Sequence, residues 1–328
     1  MDSSLQRIFQ SYLLHNTQIV SIEQNIDTVL EVQKIAIMMS HLPIRDLISI
    51  KQVSAIIQNR LNVLFQEKML DASEIYITVN NIVKYSRLKD ESSLIIKDTF
   101  NAAKGYFDYR QKNYEDARKN LQIALESCTA LINQYNYDCL RGRPIHLACN
   151  LVKVEACSGN NKKAIKIACY LISNIEGNCD NSVYKDINLL KPVQHLSFKN
   201  ESFLLTQIFE EVAKLLASCE KRKSDELIYF AANLLKECNL ISNKQFYREY
   251  TWFENKKVLA EGKTVEFLER ASIFLAEGRG SCKLLWHATV LDVLKICQNI
   301  DSEISRKLQK QITEDFSMYK YLSSILKI

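Results

Sequence analysis

The stretch Gly105–Leu125, GYFDYRQKNYEDARKNLQIAL, decides how this chain folds. Gly105 is followed by Tyr109, Tyr114, Ala117 and Ala124, with the polar tripeptide Gln111-Lys112-Asn113 between the two halves. Further on, Ala117, Leu121, Ala124, Leu125, Cys128, Ile132 and Tyr135 recur at offsets of three and four. An α-helix returns to the same side every 3.6 residues, so this spacing predicts a helix over residues 114–135 with one apolar face. Residues 94–112 read as its antiparallel partner. The small residues Ala102, Ala103, Gly105, Ala117 and Ala124 would let the two backbones come close. The expectation is a helical hairpin.

Composition extends that reading to the whole chain. At average usage, 328 residues would include about 23 glycines and about 16 prolines; this chain has 7 and 3. Strand-rich folds need turn residues at short intervals, so the scarcity predicts an all-α protein of long helices and short polar loops. A second hairpin is expected from Pro144, through a break at Ser158-Gly159-Asn160, to residue 172. Three more follow: 201–219 with 224–238, 245–261 with 265–277, and 282–297 with the last helix. Upstream, helices fill residues 4–88 with breaks near Asn16, Pro43 and Asp71, giving an N-terminal helical segment, 1–88, and a repeat domain, 89–328. The last helix carries Ile304, Leu308, Ile312, Phe316, Tyr319, Leu322 and Leu326 along one seam. It is expected to cap the array, and it is also the candidate homo-oligomer contact.

Gly105, Tyr109, Tyr114, Ala117 and Ala124 resemble the tetratricopeptide repeat, a helix-turn-helix unit of 34 residues in which small and aromatic residues recur at these spacings. Gly159 and Ala164 repeat part of the pattern. The spacing from Ala117 to Ala164 is longer than the family's, with QYNYDCLRGRP (134–144) as an insertion, so the resemblance is specific over residues 99–173 and only compatible elsewhere. It implies a right-handed helical-hairpin solenoid whose concave groove binds a peptide or a partner protein. It extends loosely to bacterial peptide-sensing regulators, but their DNA-binding half has no counterpart here. ISIKQVSAIIQNRLNVL (48–64) imitates a helix-turn-helix without a turn residue.

The helix expected after Pro144 is apolar around most of its circumference, through Ile145, Leu147, Ala148, Leu151, Val152, Val154 and Ala156. His146, Asn150 and Lys153 form a polar line on one face, with Arg141 and Arg143 just before it. The resemblance places Asn150 and Lys153 at groove positions, and Thr99, Tyr106, Tyr109 and Arg110 on the corresponding face of the neighbouring repeat. An asparagine amide can pair with both the N–H and the C=O of an extended peptide. The other reading of Asn150 is an internal tie between helices.

Motifs of chemistry are scarce. Gly262-Lys263-Thr264 imitates the end of a phosphate-binding loop, but Lys257 stands where that loop needs a glycine, and the approach is helical. No histidine follows a glutamate by three residues, as a bundle metal site would require. His146, Cys149 and Cys157 are too few and too spread for structural zinc. His287 beside Trp286 reads as an interior pair. No catalytic residue and no cofactor site is expected. Ten cysteines occur without a CxxC pair, several inside apolar helical patterns, the usage expected of reduced thiols. The start, MDSSLQRIFQSYLLHN, lacks the pattern of a signal peptide, and no apolar run reaches membrane-spanning length, so a cytoplasmic protein is expected. Basic and acidic residues number 43 and 38, a net +5 without a basic stripe, which argues against a nucleic-acid partner. The expected function is a non-enzymatic peptide- or protein-binding module, an adaptor or a peptide-responsive regulator. The alternative is an all-α enzyme whose active site is dispersed in an apolar cavity.

Overall fold

The computed structural model describes residues 1–16, 38–65, 78–79, 81–82, 88–177, 198–236 and 247–318. Among them are twelve α-helices and no strand: α1 (Asp2–His15), α2 (Ile44–Phe65), α3 (Asp90–Arg110), α4 (Tyr114–Tyr135), α5 (Arg143–Cys157), α6 (Asn161–Ile175), α7 (Phe198–Ala217), α8 (Lys221–Leu234), α9 (Tyr247–Ala260), α10 (Thr264–Ala276), α11 (Lys283–Cys297) and α12 (Glu303–Met318). The all-α expectation holds. The break near Asp71, Cys179, Cys238, the Phe316 side chain, Tyr319, Leu322 and Leu326 lie outside what the structure describes.

The chain divides into two compact units. A hairpin unit comprises Glu23–Asn160 and Lys185–Leu196; a composite unit gathers Met1–Ile22, Asn161–Tyr184 and Ser197–Ile328. The boundary expected at residue 88 therefore does not divide them, because α1 packs with the C-terminal helices.

In the hairpin unit α3 and α4 pack along their whole length. Ala117 and Ala124 are fully buried. A Cβ at Gly105 would stand 2.8 Å from Leu121 Cγ and 3.2 Å from the Ala117 carbonyl oxygen, so only a hydrogen fits there. The turn is built as the sequence suggests. Lys112 takes a left-handed φ of 63°, and the Asn113 N–H donates back to the Asp108 carbonyl at 2.8 Å. This is the six-to-one closure that satisfies the last carbonyls of a helix. The same closure recurs at Asn160 to Glu155 behind Gly159, and at Lys263 to Val258 behind Gly262. Three turns, at the expected places, thus share one geometry.

Helix α5 begins with Pro144 in its first turn, where a missing N–H costs nothing. It packs on α4 through a bidentate ion pair, Arg118 Nε to Glu155 Oε1 at 2.7 Å and Nη2 to Oε2 at 3.0 Å. It also runs beside α3. Arg143 meets Asp98 at one end and Tyr109 meets Cys157 at the other, pairs separated by 45 and 48 residues, so α3 and α5 are parallel. The insertion folds back onto the start of α3: Tyr137 is buried and donates to Glu91 Oε1 at 2.8 Å. The helix-turn-helix imitation over residues 48–64 lies within the single helix α2.

The composite unit departs from a linear stack, in which each repeat touches only its neighbours. α9 with α10 and α11 with α12 pair as expected. α8, however, packs mainly on α6 and α9 rather than on its expected partner α7, and α7 packs on α11. Helix α1 lies against α10 and α12, burying Leu5, Ile8 and Tyr12. Tyr12 stacks on Trp286 with centroids 5.8 Å apart and donates to Asp315 Oδ2 at 2.9 Å. Asn16 also donates to Asp315, at 2.8 Å, and accepts from buried Arg279 at 3.1 Å. The last helix packs on α11, then, and also on α1.

Candidate functional site

Two clefts bring polar side chains together, one in each unit. The first is the one the sequence points to. On α5 the apolar residues Ile145, Leu147, Ala148, Leu151, Val152 and Val154 are buried. His146 is exposed, while Asn150 and Lys153 are half-buried, so the polar line is the outward face of a helix otherwise inside. Parallel α3 contributes Tyr106 and Tyr109. These two tyrosines, Asn150 and Lys153 line one shallow cleft floored by Gly105 and Leu121. Its volume is about 10 Å³, room for about one water, so it is a surface furrow and not a pocket. Among the described residues the Asn150 side chain has no hydrogen bond, so it ties none of the described helices together. Its amide is left facing the furrow.

The remaining residues of the expected groove do not converge there. Arg143 is turned to Asp98, Nε to Oδ2 at 2.5 Å, because that carboxylate is buried and needs a counter-charge. Burial pushes the Asp98 carboxyl above its usual range, with the guanidinium pulling the other way. Arg110 is exposed at the end of α3, 3.5 Å from the Tyr106 hydroxyl. His146 stands outside the lining.

The motif imitations resolve simply. Gly262-Lys263-Thr264 is the hairpin turn into α10, with Lys263 bound to neighbouring Glu261 at 2.6 Å. Among the described residues no three or more His, Cys, Asp or Glu groups could hold a metal. Cys128 and Cys282 are buried thiols, and burial pushes Cys282 up to about 12, where it is unreactive. His287 is buried with its ring edge-on to Trp286 at 5.1 Å. Burial, helped by Arg279 and Lys283, lowers it to about 3, so it is neutral. No helix of the described residues is long and apolar enough to cross a membrane.

No family model, no curated protein and no solved structure matches this chain. The tetratricopeptide resemblance thus rests on the residues quoted above and on nothing further.

The second cleft was not anticipated. It lies in the composite unit between α7, α8, α9 and α11 and has a volume of about 490 Å³, within the range of small-molecule sites. Leu216, Leu259, Leu291, Ile296 and Trp252 give it apolar walls. Lys256 of α9 and Asp292 of α11 pair across it at 2.8 Å, each side chain only 11% exposed. Lys221 and Asp225 of α8 and Lys295 of α11 complete the charged lining. Burial holds the Asp225 carboxyl above its ordinary range, against the pull of Lys221 and Lys256 and with the push of Asp292. One sequence signal could have found this site: Asp292 sits in KLLWHATVLDVLKIC, a helix apolar nearly all round, where a charge needs a partner. The partner lies 36 residues away and cannot be read from spacing.

Proposed function

We propose that this chain is a non-enzymatic binding module, and that the furrow between α3 and α5 receives an extended peptide segment of a partner protein. The observation that carries the reading is the half-buried amide of Asn150, which has no hydrogen bond among the described residues. An amide so placed is bonded to water in the free protein and can exchange that water for the N–H and C=O of a peptide. Tyr106 and Tyr109 supply rigid contact area beside it, with ring centroids 6.3 Å apart. A furrow too shallow for a small molecule suits a main chain lying across parallel helices. The right-handed solenoid and a cytoplasmic setting belong to this proposal. Its local support is the parallel placement of α3 and α5 with α4 packed on both.

The test is selection of peptides from a random display library on the full chain, followed by calorimetry with Asn150→Ala. The expected outcome is about tenfold weaker peptide binding, the loss of one to two hydrogen bonds, with an unchanged melting temperature. Undiminished binding by Asn150→Ala would remove the furrow from the reading.

A further inference from the structure

The cleft of the composite unit combines features that structural packing alone does not require. A cleft of about 490 Å³ opens between four helices, a size that suits a small molecule. An ion pair, Lys256–Asp292, is held across it with both side chains 11% exposed. Such pairs give little net stability, since desolvation offsets their attraction. The charges of the lining side chains are also unequal. Three ammonium groups, Lys221, Lys256 and Lys295, face two carboxylates, Asp225 and Asp292. Once Lys256 and Asp292 neutralise each other, Lys221 and Lys295, both exposed at the rim, stand against Asp225 alone.

We propose that this cleft binds an amphipathic organic anion, its apolar body against Leu216, Leu259, Leu291 and Trp252 and its anionic head at Lys221 and Lys295. Half-buried Leu259 and Ile296 gain by excluding water, while buried Leu216, Leu291 and Trp252 set the shape behind them, and the rim lysines give the head a positive field without burying an unpaired charge. Asp225 opposes the head. It is faced by Lys221 from its own helix, by Lys256 from α9 and by Asp292 from α11. Because burial favours its protonated form, acidification removes that opposing charge. An anion whose own charge does not titrate is therefore bound more tightly as pH falls. The site lies in a different unit from the furrow, so either can fail without the other.

The probe is 1-anilinonaphthalene-8-sulfonate, whose sulfonate stays ionised, with N-phenyl-1-naphthylamine as the uncharged counterpart of the same shape. The chain has two tryptophans, so a ¹⁵N spectrum resolves two indole signals that report the location. The expected result is saturable one-to-one binding that moves the Trp252 signal and is about tenfold or more tighter than that of the neutral counterpart. K221E/K295E, changed only at exposed positions, should lose about tenfold or more in affinity and keep its melting temperature. Asp225→Asn should bind more tightly at neutral pH and lose the pH dependence. Equal affinity for the neutral counterpart, a smaller loss in K221E/K295E, or a Trp252 signal that stays in place overturns the proposal.

Discussion

The hairpin unit and the composite unit are built from similar amphipathic helices, yet they are held together over different distances along the chain. In the former, α3, α4 and α5 follow one another directly: small residues and turns near in sequence close the α3–α4 hairpin, and the side-chain pairs that place α5 span no more than 48 residues. In the latter, the first helix closes on the last: Tyr12 and Asn16 reach Asp315 across 303 and 299 residues. Local contacts leave a periodic trace in a sequence. Long-range closure leaves none, since an apolar stripe says that it will be buried and not against what.

The largest expected effect lies at that closure. Leu5 is fully buried between helices it meets only through tertiary folding. Leu5→Ala should cost about 3–4 kcal/mol, the removed methyl groups plus the cavity they leave. Hydrogen exchange should localise the loss to α10 and α12 and spare α3–α5. Equal loss of protection in both would mean that the two units unfold as one.

A smaller effect is expected inside the hairpin. Ala117 is fully buried at the close approach of α3 and α4, so Ala117→Leu should cost about 1–3 kcal/mol through overpacking. Exposed Lys119→Ala should change the melting temperature little. If Ala117→Leu is as silent as Lys119→Ala, the hairpin is not packed as tightly as Gly105 and Leu121 indicate.

One histidine in each unit should answer acid in the opposite sense to the other. His287, in the composite unit, is lowered to about 3 by burial and stays neutral when folded. An unfolded chain takes up that proton below about pH 6.5, so stability falls between about 6.5 and 3, by at most about 1.4 kcal/mol per pH unit. His41, in the hairpin unit, is raised by its hydrogen bond and charge contact with Glu91. Its contribution is complete below the unfolded pKa and is lost as pH rises through the folded one. Urea titrations of His287→Gln should show a flatter acid limb. NMR titration of His41 should give a pKa above the ordinary imidazole value, and a value below it would contradict the contact.

The same division governs how much of the molecule could be read beforehand. The turns at Lys112, Gly159 and Gly262, the Pro144 start and the two-sided nature of α5 follow from propensity and period, which act within a few residues. The furrow was half legible, because Asn150 and Lys153 share a helix face and Tyr106 and Tyr109 share another. The pairing of Arg143 with Asp98 was illegible, since nothing near it in sequence announces that Asp98 will be buried beside it. The large cleft was illegible for the same reason: its charges come from three helices, and void space has no sequence pattern.

The smallest expected effect tests whether the three equivalent turns are equivalent in energy. Two of them place glycine at the left-handed position, Gly159 at φ 86° and Gly262 at φ 76°, while the first places Lys112 there at φ 63°. A residue with a Cβ pays about 1–2 kcal/mol for that conformation. Glycine avoids it but loses more backbone freedom on folding, which takes back about 0.5–1 kcal/mol. Lys112 is exposed, so nothing else changes when it is replaced. Lys112→Gly should therefore stabilise the hairpin unit by about 0.5–1 kcal/mol, and Gly262→Lys should destabilise the composite unit by a similar amount. Denaturant melts resolve differences of this size in midpoint at constant slope. A destabilising Lys112→Gly would mean that the first turn is held by Gln111 and Asn113 more than by its φ, and that the likeness among the three turns ends at their hydrogen bonds.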